Sequence, residues 1–208
     1  MSNYKYWAWW NALSDNEQEV LLSLLYSLNL EDYIKIDDQG NYRSLKWKMA
    51  KVFVCADLHL NHARIIELCN RPFKDVDEMN DTLIANWNSV VGKEDTVYFL
   101  GDLCFETKEK SKDYWLSKLN GHIIWVKGNH DHYKRLIKTI YFNEYVMVHD
   151  PNDVELGWKL CIHGHCHNKV PRIDRRRKRI CVSVELIDYT PIELNKLMEE
   201  YENGERKS

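Results

Sequence analysis

Five short apolar segments of this chain each run straight into a potential metal ligand, and that repetition limits the fold more than any other feature. Val52 to Ala56 leads into Asp57-Leu58-His59, Thr96 to Leu100 into Gly101-Asp102, and the segment ending at Val126 into Gly128-Asn129-His130-Asp131. Tyr145 to Val148 ends at His149, and Leu160 to Ile162 at His163-Gly164-His165-Cys166-His167. Their composition reads as strand. A lone histidine is usually a surface or core residue, but five coincidences at equivalent strand ends are not explained that way. In open α/β sheets ligands bind beyond the carboxyl ends of the strands, so these side chains are expected to converge on one rim.

Helical patterns alternate with these segments, which predicts α/β layering. The clearest helix is expected from about Asp77 to Val91, where Met79, Leu83, Trp87 and Val90 recur at three- and four-residue steps and Gly92 supplies a stop. Ile180 to Leu186 reads as a further strand. A second helix is expected from Thr190, where Thr190-Pro191-Ile192-Glu193 combines a capping box with proline at the first helical position. With 208 residues, 44% hydrophobic and 29% charged, the chain has the composition of a globular protein, one domain plus an appendage.

The appendage is residues 1–48, and the main domain 49–208. The first opens on Tyr4, Tyr6, Trp7, Trp9 and Trp10. Ser14-Asp15-Asn16-Glu17 then has the form of a capping box, and Val20, Leu21, Leu24, Leu25 and Leu28 follow at helical spacing. Asp37-Asp38-Gln39-Gly40-Asn41 is a turn signal. This reads as a helical extension whose apolar stripe packs on the main domain or on a second subunit, giving a homo-oligomer. Val20 to Leu30 is too short to cross a bilayer, no secretory signal is seen, and six cysteines show no CxxC pairing, so a cytoplasmic protein with reduced thiols and no membrane partner is expected. Cys161 and Cys166 lie near histidines but read as small packing residues rather than ligands. A formal charge of -3 gives no overall positive field for nucleic acid.

In order, D-x-H at 57 to 59, G-D at 101 to 102, G-N-H-D at 128 to 131, His149 and G-H-x-H at 164 to 167 resemble the calcineurin-like metallophosphoesterase superfamily. The likeness covers roughly residues 50 to 190, and Asn70-Arg71-Pro72-Phe73 and Val182-Ser183-Val184-Glu185-Leu186 look like its short bacterial and phage branch. The resemblance implies an α/β sandwich of two mixed β-sheets flanked by helices, and a dinuclear site. Asp57, His59, Asp102 and His167 would hold one ion, and Asp102, Asn129, His149 and His165 the other. Manganese is the implied metal, with Fe, Zn or Ni as alternatives. Two metals supply a hydroxide at neutral pH and offset charge building on the phosphoryl oxygens.

His130 is the implied catalytic imidazole, suited to protonating the leaving oxygen. Asp131 reads as the cap of a following helix, and His163 as a neighbour that orients the ligands. Protein phosphatases of the superfamily carry G-D-x-x-D-R-G, whereas Leu103-Cys104-Phe105-Glu106 stands after Gly101-Asp102 here. That disfavours a phosphoprotein substrate and makes His62, Arg64 and Arg71 candidates for phosphate contact. The run Arg172, Arg175, Arg176, Arg177, Lys178 and Arg179 reads as a solvated hairpin tip or as an electrostatic guide for a nucleotide or RNA end. The expected activity is metal-dependent hydrolysis of a phosphodiester of a nucleotide or nucleic acid end. The alternatives are a small-molecule phosphomonoesterase and a non-catalytic protein-binding scaffold.

Overall fold

The computed structural model describes residues 34–36, 42–44, 50–132, 136–142, 145–154 and 157–205. The chain divides into two units, Met1–Met49 and Ala50–Ser208. In the first, β1 (Ile34–Ile36) and β2 (Tyr42–Ser44) pair antiparallel with Ile34 opposite Ser44. The reading of residues 1–48 as a helical extension does not include this pair. The expected helix from Ser14, the aromatic cluster and the turn at 37–41 lie outside the described residues.

In the second unit the order is β3 (Val52–Cys55), α1 (Arg64–Leu68), α2 (Val76–Val90), β4 (Thr96–Phe99), α3 (Lys112–Leu116), β5 (His122–Trp125) and β6 (Thr139–Phe142). After these come β7 (Tyr145–Val148), β8 (Leu160–His163), β9 (Ile173–Asp174), β10 (Arg179–Cys181), β11 (Ile192–Glu193) and α4 (Leu194–Glu205). Short 3-10 turns occupy His167–Lys169 and Val184–Leu186. One sheet has the strand order β11-β3-β4-β5 and the other β6-β7-β8-β10-β9. Both mix parallel and antiparallel pairs, because β11, β6 and β9 join as antiparallel edges. This is the expected α/β sandwich.

The period-2 pattern of β3 explains why it is central. Phe53 and Cys55 belong to a core with Met79, Leu83 and Trp87 of α2, while Val54 and Ala56 belong to one with Met147, Leu160, Ile162 and Ile180 of the other sheet. Both faces are buried, so the run carries no polar alternation. The start of α2 is fixed by Asp75, whose side chain accepts the Glu78 N–H at 2.8 Å.

Two expectations fail for one reason. The helix from Thr190 begins instead at Leu194, and the strand from Ile180 ends at Cys181. Each segment has a partner that local pattern does not reveal. Ile192 and Glu193 pair with Val54 and Phe53 to finish the edge of one sheet, which overrides the capping box. Val182 O accepts the Ala56 N–H at 2.9 Å and Val184 N–H donates to Ala56 O at 3.1 Å, so the chain leaves one sheet to stitch the other before turning.

Candidate metal centre

The expected ligands lie at the carboxyl ends of five parallel strands, but two sheets supply them: β3, β4 and β5 from one, β7 and β8 from the other. The loops are cross-tied. Asp57 N–H donates to Gly101 O at 2.9 Å, His59 N–H to Asp102 O at 3.0 Å, and Gly164 N–H to His149 O at 3.1 Å. Close approach explains the motif glycines. A Cβ on Gly101, whose φ is +95°, would sit 2.6 Å from Gly128 Cα, and one on Gly128 would collide with Asp102 Oδ1. Asp57, His59, Asp102, His165 and His167 all have left-handed φ, at 62°, 49°, 59°, 67° and 48°. Such backbone costs on the order of 1–3 kcal/mol per residue and clusters at functional sites.

The side chains form two groups. In one, ligand atoms of Asp57, His59 and His167 lie within 4.8 Å of one another, and in the other those of Asp57, Asp102 and His149 do. Asn129 and His165 extend the second. Asn129 Oδ1 is 2.7 Å from His149 Nε2 and 3.0 Å from His165 Nδ1, and the two ring nitrogens are 3.3 Å apart. Two donors about 2.1 Å from one ion and at right angles to it would be separated by about 3.0 Å. Asp102 Oδ2 stands between the groups, 3.5 Å from His59 Nε2 and 3.4 Å from His149 Nε2. Its Oδ1 accepts the His130 N–H at 2.9 Å.

Unsatisfied atoms mark where a cation fits. Asp57 Oδ1 and both ring nitrogens of His59 are buried with no hydrogen-bond partner among the described residues. Burial pushes the carboxyls of Asp57 and Asp102 up and holds the His59 imidazole well below its ordinary range. A bound cation would pull the two carboxyls back down and would hold the imidazole neutral all the more. The mixed imidazole, carboxylate and amide donors suit Mn²⁺, Fe or Zn²⁺. Asn129 and His130 are exposed while Asp57, His59, Asp102 and His149 are buried, so the centre opens on the Asn129 side.

Ser183, Glu185, Asp131 and Arg71 hold these candidate ligands from behind. Ser183 donates its hydroxyl to Asp57 Oδ2 at 2.6 Å, and the same oxygen accepts the His165 N–H at 2.9 Å. That leaves Oδ1 for a cation. Glu185 Oε1 lies 2.9 Å from His167 Nδ1. Burial opposes charge on His167, yet its hydrogen bonds with Cys69 and Glu185 prevail and push its pKa up to about 10. Asp131, read as a helix cap, spends its carboxylate elsewhere. Oδ2 accepts from Asp102 N at 2.9 Å, Gly128 N at 2.8 Å and Trp125 Nε1 at 3.0 Å, and Oδ1 from Leu103 N at 3.2 Å.

Arg71 is withdrawn from phosphate contact by its burial. Its guanidinium donates to Leu58 O at 2.9 Å, Asp57 O at 2.8 Å and Glu185 Oε1 at 2.9 Å, with none of the side chain exposed. It braces the D-x-H loop. Ser183 and Glu185 were visible in the sequence only as a family-like ending, because their partners lie more than a hundred residues away for Asp57 and Arg71.

His163 is buried, places Nδ1 2.8 Å from Gly164 O, and has its pKa lowered by burial to about 4, which keeps it neutral. His62 stacks on Phe105. Arg64 is exposed at the start of α1. Burial raises the thiols of Cys161, to about 11, and Cys166. The basic run is largely engaged. Arg172 pairs with Glu200, Arg175 donates to Glu200 O and Tyr201 O, Arg177 pairs with Asp174 at 2.8 Å, and Arg179 donates to Pro151 O at 3.0 Å. The hairpin reading accounts for these four arginines.

The family model described as calcineurin-like phosphoesterase matches residues 50–202. The chain belongs to that family. Among the relatives of this calcineurin-like phosphoesterase, the uncharacterized protein MJ1445 of Methanocaldococcus jannaschii is 43% identical over 167 residues, 75% of this chain and 94% of that one. The gene 66 protein of Mycobacterium phage L5 is 40% identical over 85 residues, 40% of this chain and 41% of that one. Among solved structures, the protein of unknown function AQ665 from Aquifex aeolicus aligns with a TM-score of 0.54 at 25% identity, covering 72% of this chain and 98% of that one. Calcineurin-like phosphoesterases typically bind divalent metals, and the aspartate and histidine groups above are the candidates here. No helix among the described residues is long and apolar enough to cross a membrane.

Proposed function

We propose that this calcineurin-like phosphoesterase cleaves phosphodiesters, of a nucleotide or a nucleic acid end, at two divalent cations. Asp57, His59, Asp102 and His167 would hold one, and Asp102, Asn129, His149 and His165 the other. The observation that supports this most is Asp102 Oδ2, set within 3.5 Å of His59 Nε2 and 3.4 Å of His149 Nε2, where a shared ligand belongs. When bound, the cations activate water and offset phosphoryl charge. The chain's own residues do the rest. Asp102 Oδ1 fixes the His130 backbone, and the exposed imidazole of His130 donates a proton to the leaving oxygen. Asp57 Oδ2, held by Ser183 and His165, keeps Oδ1 turned to the centre.

The preference for a diester rests on the loop after Asp102. Leu103, Cys104 and Phe105 stand there in place of a charged run, so no arginine is supplied from this loop for the extra charge of a monoester dianion. Arg64 alone favours the second reading, a small-molecule phosphomonoesterase. Turnover of bis(p-nitrophenyl) phosphate against p-nitrophenyl phosphate with Mn²⁺ decides. A higher kcat/KM for the diester is expected. A higher value for the monoester selects the second reading, and no turnover with Mn, Fe, Zn or Ni leaves a protein-binding scaffold.

A further inference from the structure

We infer that Phe105 and His62 form a stacking platform at the mouth of the centre that selects phosphoesters carrying a nucleobase. This deepens the proposed function and rests on it. The Phe105 ring stacks on His62 at 3.9 Å between centroids and 20° between planes, and lies 5.6 Å from the His130 ring and 6.3 Å from that of His59. Leu103 and Cys104 before it are buried, yet Phe105 keeps 36% of its surface in water. That partly open ring borders the exposed imidazole assigned to the leaving group.

The backbone that carries the ring is also fixed. Phe105 N–H donates to Leu60 O at 2.8 Å, Asn61 Nδ2 donates to Phe105 O at 3.0 Å, and Asn61 N–H donates to Asn80 Oδ1 at 2.8 Å. Pre-set aromatic faces bind planar groups at small entropic cost. Bases stack on such rings with little regard to sequence, and loss of one ring weakens binding by about 5- to 150-fold. A base joined to its phosphate through ribose alone would keep the phosphoryl group beside His130. His62 therefore supports the ring from beneath rather than contacting phosphate.

Calorimetric titration of the full-length, manganese-loaded protein with AMP and with ribose 5-phosphate isolates the base. AMP is expected to bind at least about tenfold more tightly. Phe105→Ala and Phe105→Leu should bring the affinity ratio close to one, and Phe105→Trp should keep it. A ratio near one in the unaltered protein, or one unmoved by Phe105→Ala, overturns the inference while leaving the phosphoesterase reading intact. Failure of AMP to bind overturns the inference alone, since cleavage of a diester does not require affinity for a monoester and is decided by the turnover comparison above. Phenyl phosphate gaining as much as AMP would assign the ring to aryl esters at large and overturn the nucleobase.

Discussion

Asp131→Asn tests how the centre is braced. The buried carboxylate accepts three N–H groups on Oδ2 and one on Oδ1, tying Asp102 and Leu103 after β4 to Gly128 and Trp125 around β5. Asparagine keeps the shape but offers one oxygen. If that oxygen takes the three-donor side, the Leu103 N–H, now 3.2 Å from Oδ1, faces an amide N–H₂ instead. One charge-assisted bond worth about 1.5–3 kcal/mol is lost and three fall to the neutral range of about 0.5–1.5 kcal/mol each. Relief from burying a charge offsets part of this, leaving a net loss of about 2–4 kcal/mol. For a chain of this length that corresponds to a fall in Tm of roughly 5–15 °C. Because the two ligand loops slip apart, Mn²⁺ affinity should drop about 10- to 100-fold. Circular dichroism melts of the metal-free protein and calorimetric Mn²⁺ titration measure both. A variant melting within about 1 °C of the original, with unchanged affinity, would refute the bracing role.

Arg71→Lys keeps the charge but loses the fork that reaches Asp57 O, Leu58 O and Glu185 together, so urea denaturation should show about 2–3 kcal/mol less stability at constant m. A loss under about 0.5 kcal/mol would show that the guanidinium is dispensable. Burial raises the folded pKa of Asp57 and Asp102, so their contribution to metal-free stability is full below the unfolded value and is lost as pH rises through the folded one. Cation binding needs the ionised forms, so the rise in Tm on adding Mn²⁺ should be larger at pH 7.5 than at pH 5. An equal or smaller rise at pH 7.5 would contradict this.

The candidate ligand positions were legible in the sequence because they follow strand ends, most within short motifs, and strand and motif are both local. That there are two sheets followed only from the family resemblance, because nothing local to the strands says that β7 and β8 belong to a second one. Asp131 resembled a helix cap because capping is a local pattern, whereas its donors Asp102 N–H and Leu103 N–H come from 29 and 28 residues upstream. Arg71 looked like a phosphate ligand by residue type, and only its burial among Leu58, Asp57 and Glu185 shows otherwise. At Thr190 the capping box was real as sequence but lost to the free edge of β3, a tertiary partner stronger than propensity.

The central claim is a two-cation centre bridged by Asp102, and the metal content of purified protein tests it most directly. Elemental analysis after dialysis against Mn²⁺ should give two ions per chain for the unaltered protein, near zero for Asp102→Ala, and two for a His130→Ala variant that has lost most turnover. One ion or none in the unaltered protein, full occupancy in Asp102→Ala, or a His130→Ala variant stripped of metal would contradict it.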